Sequence, residues 1–210
     1  MIIEKKCKKC RRAGEKLFLK GERCFTPKCT MEKKAFPPGL PPAARKHRSM
    51  ASEFGLQLKE KQKVRNVYRL SEKQFSAYVK KTSASKDSSP KEQLFESLET
   101  RLDSAAFRLG FAASRPLARQ IVSHGHLTIN GRRIDIPSYR VKIGDVIAIR
   151  EGSKKRTVFA NLPETLAKYT APSWLKMDVQ KLEGTVQGKP ALGQSDMTYN
   201  LTAILEFYSR

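Results

Sequence analysis

All four cysteines of this 210-residue chain lie within its first 29 residues, in two closely spaced pairs. Two residues separate Cys7 from Cys10, four separate Cys24 from Cys29, and thirteen lie between the pairs. Such pairs place two thiolates on each of two turns, and the intervening loop lets the turns face each other around one ion. The spacing therefore predicts a tetrahedral metal site, with zinc as the default ion and an iron–sulfur cluster as an alternative that spacing leaves open.

The segment around these cysteines is strongly basic. The first 50 residues contain 15 Lys and Arg against four Asp and Glu, which is half of the net charge of +22. Because it has few large apolar residues, we expect the ion rather than a hydrophobic core to fold this N-terminal arm. Four thiolates would leave no coordination position for a substrate, so the predicted site is structural.

The charge of the whole chain limits its partners. It contains 42 Lys and Arg and only 20 Asp and Glu, an imbalance that is usually tolerated where a polyanion neutralises it. Nucleic acid is therefore the expected partner. No apolar run approaches the roughly 18 residues of a transmembrane helix, and the first six residues contain only three apolar ones before the charges begin, unlike a secretory signal. We expect a cytoplasmic protein, which also argues against disulfides.

The region after the cysteines contains a spacer and two helices. The run Phe36–Pro42 is proline-rich and is expected to be extended. The basic cluster that follows consists of Arg45, Lys46, His47 and Arg48, and it is either a solvated linker or a binding site, with Arg45, Lys46 and Arg48 as the candidate ligands of RNA. Ser52 is a candidate cap for a helix towards Leu70. The basic residues away from its apolar side are predicted to bind RNA: Lys59, Lys61, Lys63 and Arg65. Ser71 and Gln74 form a capping box for a second helix, and Thr82–Pro90 is a linker.

The central region predicts an α+β module. A long amphipathic helix is expected from Lys91 to Leu109, and a shorter one from Ser114 to Gly125. Alternating apolar residues then flank Asn130-Gly131, which is typical of a type I′ hairpin. Further antiparallel strand material follows Val141, and Leu201–Tyr208 fits either a strand or a helix.

One edge of this module carries candidate phosphate ligands. Arg115 and Arg119 are four residues apart and share a face of the shorter helix, opposite its core residues. The helix end and the hairpin add four more candidates, and two further residues flank them: His124, His126, Arg132, Arg133, Tyr139 and Arg140. Such an edge would hold RNA by its shape and phosphate positions, because a basic helix cannot read bases in the narrow major groove of A-form RNA.

Several motifs together resemble the family of the fourth protein of the bacterial small ribosomal subunit. They are the four-cysteine start, Phe54–Arg65 (FGLQLKEKQKVR), Arg101–Phe111 (RLDSAAFRLGF), Ser114–His126 (SRPLARQIVSHGH), Asn130-Gly-Arg, Ile136–Val141 (IPSYRV) and Glu206–Arg210 (EFYSR). The resemblance covers nearly the whole chain, and the cysteines place it nearest the metal-bearing branch of the family.

The resemblance implies a primary rRNA-binding protein. It would bind a multi-helix junction in the 5′ domain of small-subunit rRNA, nucleate assembly and lie where mRNA enters the subunit, with Arg45, Lys46 and Arg48 facing the mRNA. It further implies contact with the fifth small-subunit protein, a contribution to decoding accuracy and a location on the cytoplasmic ribosome. The expected organisation is a metal-binding arm and spacer over 1–45, a helical domain over 46–97 packed with 196–210, and an rRNA-binding domain over 98–195 with its core at 98–150.

Two other classes of function are alternatives to a ribosomal protein: an RNA-modifying enzyme, and a free RNA chaperone or translational repressor. Arg101-Leu102-Asp103 resembles the catalytic run of pseudouridine synthases, but it falls inside a predicted helix and no catalytic domain follows, so Asp103 is interpreted as a helix-surface or ion-pair residue. No phosphate loop, His-Glu-x-x-His helix or nucleophile elbow is present. We therefore predict a ribosomal protein with no catalytic residues, and keep an RNA-modifying enzyme and a free RNA chaperone or translational repressor as alternatives.

Overall fold

The computed structural model describes residues 5–39, 50–84, 89–193 and 199–209. The chain divides into two compact units, one formed by Met1–Lys91 with Thr198–Arg210 and the other by Glu92–Met197. None of the helices in the described ranges is long and apolar enough to cross a membrane.

The first unit is helical. Its helices, numbered along the chain, are α1 (Lys6–Ala13), α2 (Thr30–Lys33), α3 (Glu53–Val67), α4 (Glu72–Ala84) and the last helix α10 (Leu201–Ser209), with a 3-10 turn at Gly21–Phe25. Ser52 caps α3, because its hydroxyl accepts a hydrogen bond from the Gly55 amide at 3.2 Å. Helix α10 packs on α3 and α4 through the buried Ile204 and a tilted contact between the Tyr208 and Phe75 rings.

The arm at the start of this unit has a core of its own. Leu17 and Leu19 are buried, and so are the thiols of Cys10, Cys24 and Cys29. Gly14 ends α1 in the left-handed conformation, with its amide bonded to the Cys10 carbonyl at 2.9 Å. The arm is therefore folded by local turns and by burial of small apolar groups.

The prediction of a zinc ion or iron–sulfur cluster in the arm is wrong. Within the described ranges, no group of three or more His, Cys, Asp or Glu side chains is arranged so that it could hold a metal ion. All four cysteines are free thiols, and burial raises the pKa of the Cys10 thiol, which favours its neutral form. A buried thiol packs as a small apolar side chain. The spacing of the cysteines did not reveal that Cys10, Cys24 and Cys29 are buried with Leu17 and Leu19, whereas Cys7 is half-buried.

The second unit combines helices with an antiparallel sheet. Its helices are α5 (Pro90–Glu99), α6 (Leu102–Arg108), α7 (Arg115–Ser123), α8 (Glu151–Lys154) and α9 (Leu162–Ala167), and its strands are β1 (Leu127–Ile129), β2 (Arg132–Ile134), β3 (Val146–Ile149), β4 (Leu175–Asp178) and β5 (Glu183–Val186). The sheet order is β2-β1-β3-β5-β4, with every pairing antiparallel. The predicted mixture of helix and antiparallel strands is confirmed.

Helices α6 and α7 pack together over this sheet. The core contains apolar residues of both helices and of the central strands, among them Leu102, Leu109, Ile121, Leu127 and Ile147. Gly184 in β5 allows close packing, because a Cβ atom there would lie 2.3 Å from a methyl carbon of Leu109. The sheet thus gives α7 and the β1–β2 hairpin a rigid base.

The long helix predicted from Lys91 to Leu109 is broken in two. Arg101 adopts an extended conformation between α5 and α6 and pairs with Arg140 as an isolated β-bridge. The Leu102 amide donates to the Tyr139 carbonyl at 2.8 Å, and the Val141 amide donates to the Thr100 carbonyl at 2.9 Å. These bonds to a distant segment replace the helical ones at the break.

Candidate nucleic-acid interface

The end of α7 and the β1–β2 hairpin form a basic surface, which we call the hairpin cluster. It consists of His124, Arg133, Arg150 and Arg156 around the buried ring of His126. The predicted Arg132 lies on the same hairpin and is exposed, but it is paired with Ile129 and points to the other face of the sheet from Arg133. Arg133 lies directly over Gly125 at the C-terminal end of α7, where a Cβ atom would be 2.2 Å from its Nε. A cation is favoured there because the carbonyl groups at a helix C-terminus carry partial negative charge.

Backbone hydrogen bonds hold Arg150 next to His126 and hold His126 against the end of α7. The His126 amide donates to the Ile121 carbonyl at 3.2 Å, and the Arg150 amide donates to the His126 carbonyl at 2.9 Å. The His126 Nδ1 and the Ser153 hydroxyl are 3.0 Å apart. Burial, then the charges of Arg156, His124, Arg150 and Arg133, lower the pKa of His126 below its usual value of 6.5. The four cations therefore lie close enough to His126 to disfavour its charged form.

The arginines of the hairpin cluster lack acidic partners. In the parts of the chain that the structure describes, Arg133, Arg150 and Arg156 form no ion pair with a carboxylate. The Nε atom of Arg150 is buried and has no hydrogen-bond partner among the described atoms. Because unpaired guanidinium groups form strong bidentate bonds with phosphate, this surface is suited to binding a polyanion.

Arg115 and Arg119 occupy a different environment from the one predicted. Arg115 is only 9% exposed, its Nη2 donates to Glu99 Oε1 at 2.6 Å, and its guanidinium lies 4.6 Å from the centre of the Phe107 ring. Arg119 is half-buried and donates to Asp103 Oδ2 at 3.3 Å. The expected exposed position of Arg115 is wrong, because a buried carboxylate on α5 draws it inward. RNA contact by Arg119 stays a prediction.

Tyr139 and Arg140 lie in the loop that pairs with the α5–α6 break. Arg140 is exposed and donates to Glu96 Oε1 at 3.0 Å, whereas Tyr139 is half-buried against the core. The described contacts do not bring these two residues into the hairpin cluster.

A second basic surface lies between α1 and α3 in the first unit. It is a groove of about 920 Å³, and half of its lining residues are cations: Lys5, Lys8, Lys9, Arg12, Lys59, Lys63 and Arg65. Burial, then the charges of Arg65 and Arg69, lower the pKa of Lys9, which shows that the cations are crowded. We call this surface the α1–α3 groove.

The three lysines of α3 that were predicted to bind RNA have different environments in the structure. Lys59 is exposed and lines the α1–α3 groove. Lys63 also lines it but is bonded to Glu15 at 2.5 Å and Glu60 at 2.6 Å. Lys61 is buried away from the groove, bonded to Glu72 at 2.8 Å and placed 4.4 Å from the centre of the Phe207 ring.

Sequence reasoning missed several members of both surfaces. Arg150 and Arg156 were not predicted, although the run Lys154-Lys155-Arg156 signals a basic segment. The groove residues of the arm were also missed, although Lys5, Lys8, Lys9 and Arg12 follow the i, i+3, i+4, i+7 spacing of one helix face. The predicted mRNA-facing residues Arg45, Lys46 and Arg48 lie outside the described residues.

Comparison with known proteins identifies the family. The model of the ribosomal protein S4/S9 N-terminal domain matches residues 2–99, and that of the S4 domain matches residues 100–147. The chain is 46% identical to small ribosomal subunit protein uS4 of Syntrophomonas wolfei over 97% of the chain and 96% of that protein. It is 45% identical to the uS4 proteins of Ruminiclostridium cellulolyticum, with the same coverage, and Maridesulfovibrio salexigens, with 98% and 97% coverage. The chain belongs to the ribosomal protein S4 family.

Membership of the S4 family confirms the main functional prediction. The chain is an rRNA-binding ribosomal protein and not an enzyme, and its expected location on the ribosome is confirmed. The names of these S4 relatives mention no metal. The S4-domain match includes α7 and the β1–β2 hairpin and ends before Arg150 and Arg156.

Proposed function

We propose that the chain binds a multi-helix junction in the 5′ domain of small-subunit rRNA and nucleates assembly of that domain, with the hairpin cluster as its main phosphate-binding surface. One observation carries the assignment of the surface. Three arginines of the second unit, Arg133, Arg150 and Arg156, lie around His126, and none of them has a carboxylate partner within the described ranges. Elsewhere in this unit, several arginines are bonded to buried carboxylates and are less available to RNA.

The chemistry of the cluster favours phosphate over bases. The guanidinium and imidazole groups at the end of α7 and on the hairpin can donate charge-assisted hydrogen bonds to phosphate oxygens. Side chains cannot reach the base edges in the deep and narrow major groove of A-form RNA. A folded junction is therefore recognised mainly by the positions of its phosphates. The rigid sheet beneath the hairpin keeps the cations at fixed spacings, which supports recognition of shape.

The α1–α3 groove is proposed as a second rRNA-binding surface. Half of its lining residues are cations and none is acidic. Burial first, and then the charges of Arg65 and Arg69, lower the pKa of Lys9, and a bound phosphate would offset those charges. The proposed contribution of Lys59 fits this role because its side chain is exposed. Lys61 contributes instead to the helix packing around Glu72.

A matched pair of variants tests the hairpin cluster. Arg133→Ala removes one cation over the end of α7, and Lys176→Ala removes one exposed cation from β4, which lies at the opposite edge of the sheet from β2. We expect Arg133→Ala to weaken binding of the junction RNA and to reduce the log–log salt slope by roughly 0.7–0.9, the release of one phosphate's counterions. Lys176→Ala should leave both quantities unchanged. Equal effects of the two substitutions would refute the assignment of the surface.

The family resemblance also supports a role on mRNA. We propose that Arg45, Lys46 and Arg48 face mRNA where it enters the subunit. Replacing all three with Ala should leave subunit assembly intact and slow translation through a stable mRNA hairpin. Normal passage through that hairpin by ribosomes carrying the triple variant would contradict this role.

The same resemblance supports a protein contact. We propose that the chain touches the fifth protein of the small subunit and contributes to decoding accuracy through that interface. Crosslinks between the two proteins in assembled subunits would support the contact. Their absence, with crosslinks to other neighbours present, would argue against it.

A further inference from the structure

Two phenylalanine rings are stacked on the surface of the N-terminal arm. The centres of the Phe18 and Phe25 rings are 4.9 Å apart, with an angle of 28° between their planes. Phe25 is 74% exposed and Phe18 is 43% exposed. Because Phe18 covers one face of the Phe25 ring, the large exposed area of Phe25 belongs to its other face and its edge.

The backbone around Phe18 holds its ring on the surface. Leu17 and Leu19 are both buried, so the residue between them is turned away from the core. Phe18 has a φ of 48°, a left-handed conformation that is unusual for a bulky residue and costs free energy. The Gly21 amide closes this turn by donating to the Phe18 carbonyl at 3.4 Å, and Phe25 follows at the end of the 3-10 turn.

The surroundings of the two rings are basic. Lys20, Arg23 and Lys28 each lie within three residues of one of the rings, and all three are exposed. Neither Arg23 nor Lys28 forms an ion pair with a carboxylate in the parts of the chain that the structure describes. Glu22 is the one acidic residue between Lys16 and Lys28. An exposed apolar face in such a setting is complementary to a partner that combines flat rings with negative charge.

We propose that the exposed face of Phe25 stacks on an unpaired base of the bound RNA, with Phe18 as the support behind it and Arg23 and Lys28 near the flanking phosphates. Single-stranded RNA is commonly held by aromatic side chains in a basic setting, and the stacking tolerates any base because every base has a π-face. This inference rests on the proposed binding of rRNA and adds to it a contact with a base.

Three substitutions at Phe25 separate stacking from simple apolar contact. In binding of the full chain to the 5′-domain RNA, Phe25→Ala and Phe25→Leu should both weaken affinity by about 5- to 150-fold, the usual contribution of one stacked base. Phe25→Trp should retain the affinity because indole stacks at least as well. The log–log salt slope should not change in any of them, since no phosphate contact is removed.

The controls concern folding and specificity. Phe54→Leu makes the same change at another half-exposed ring, which packs on Phe207 at 5.3 Å between ring centres, and should leave affinity unchanged. Thermal melts should be similar for all variants at Phe25, because that side chain is largely exposed. Ultraviolet irradiation of the wild-type complex should give a nucleotide adduct on the peptide that contains Phe25.

The other outcomes overturn the proposal in distinguishable ways. If Phe25→Leu binds as well as the wild type while Phe25→Ala does not, the ring makes an apolar contact without stacking. If all variants bind rRNA normally but lose a protein neighbour in assembled subunits, the ring docks on protein. If the wild-type chain does not bind the RNA at all, the proposed function fails together with the stacking.

Discussion

Glu99 and Asp103 are the buried carboxylates that draw arginines away from the surface of the second unit. Glu99 is 1% exposed and accepts from Arg108 Nε at 3.0 Å and from Arg115 Nη2 at 2.6 Å. Asp103 accepts two hydrogen bonds from Arg101, at 3.0 and 2.8 Å. The sequence left Asp103 as either a helix-surface or an ion-pair residue, and the structure shows a buried ion-pair residue. It gave no sign that Glu99 would be buried, since α5 and α7 meet only after folding.

Glu99→Gln tests the importance of this network for stability. The substitution leaves two buried guanidinium groups with a neutral partner, so we expect the free energy of unfolding to fall by about 3–5 kcal/mol. Urea unfolding followed by the fluorescence of the buried Trp174 measures it. Glu96→Gln is the matched control, because Glu96 pairs with the exposed Arg140 and Lys189 and should contribute only about 0–1 kcal/mol. Equal losses in the two variants would show that burial of Glu99 does not matter.

His126 makes stability depend on pH. Its pKa in the folded protein is lowered below 6.5, by burial first and then by Arg156, His124, Arg150 and Arg133. The unfolded chain therefore takes up a proton at a higher pH than the folded protein, so this contribution to stability is complete above about pH 6.5 and is lost as the pH falls towards the folded pKa. Urea unfolding of the wild type should show this loss as the pH falls below about 6.5, and His126→Asn should reduce it. An unchanged pH dependence in the variant would exclude His126 as the cause.

At the scale of helices and strands, the helix caps and the hairpin turn were predicted correctly, because each depends only on hydrogen bonds between residues that are close in the sequence. Ser52 caps α3 as predicted, and Ser71 and Gln74 exchange the two hydrogen bonds of a capping box, at 3.2 and 3.4 Å. Asn130 and Gly131 have φ values of 49° and 81°, as a type I′ hairpin turn requires. Each of these features is decided by residues within four positions of one another.

Elements that depend on distant residues were not predictable in the same way. The break at Arg101 requires hydrogen bonds from the segment near Tyr139 and Val141, about 40 residues away. The pattern of apolar residues in Leu201–Tyr208 is compatible with a strand and with a helix. The segment forms α10 because its packing on the other helices buries Ile204 and lets the Tyr208 hydroxyl donate to Glu72 Oε1 at 2.7 Å. The cysteine spacing was interpreted as a metal site because spacing does not reveal burial with leucines.

Gly184→Ala tests the contact between α6 and the sheet. The new methyl group would lie 2.3 Å from a buried methyl carbon of Leu109, so we expect a loss of about 1–3 kcal/mol in the free energy of unfolding. Gly152→Ala in α8 is the control, since nothing lies within 4 Å of its Cβ position, and it should be neutral or stabilising by up to about 1 kcal/mol. Thermal melts of the two variants measure the difference. A neutral Gly184→Ala would mean that Leu109 moves freely.

At the scale of the whole molecule, the position of the acidic residues determines where the net charge of +22 is available. Several of the 20 carboxylates are bonded to basic residues in the interior or at helix contacts. The arginines of the hairpin cluster have no such partner in the described ranges, and most of the cations of the α1–α3 groove are likewise without an ion pair there. Basic composition predicted a polyanionic partner, and the folded structure adds which cations are free to contact it.

The most direct test of this account is a map of RNA–protein crosslinks on assembled small subunits that carry the chain. Nucleotide adducts are predicted on the peptides that contain Arg133 and Arg156, with a second group on the peptides that contain Lys8, Lys9 and Arg12 of α1. Peptides from β4 at the opposite edge of the sheet should be free of adducts. Adducts concentrated on β4, with none on the hairpin cluster, would contradict the proposed rRNA-binding surface.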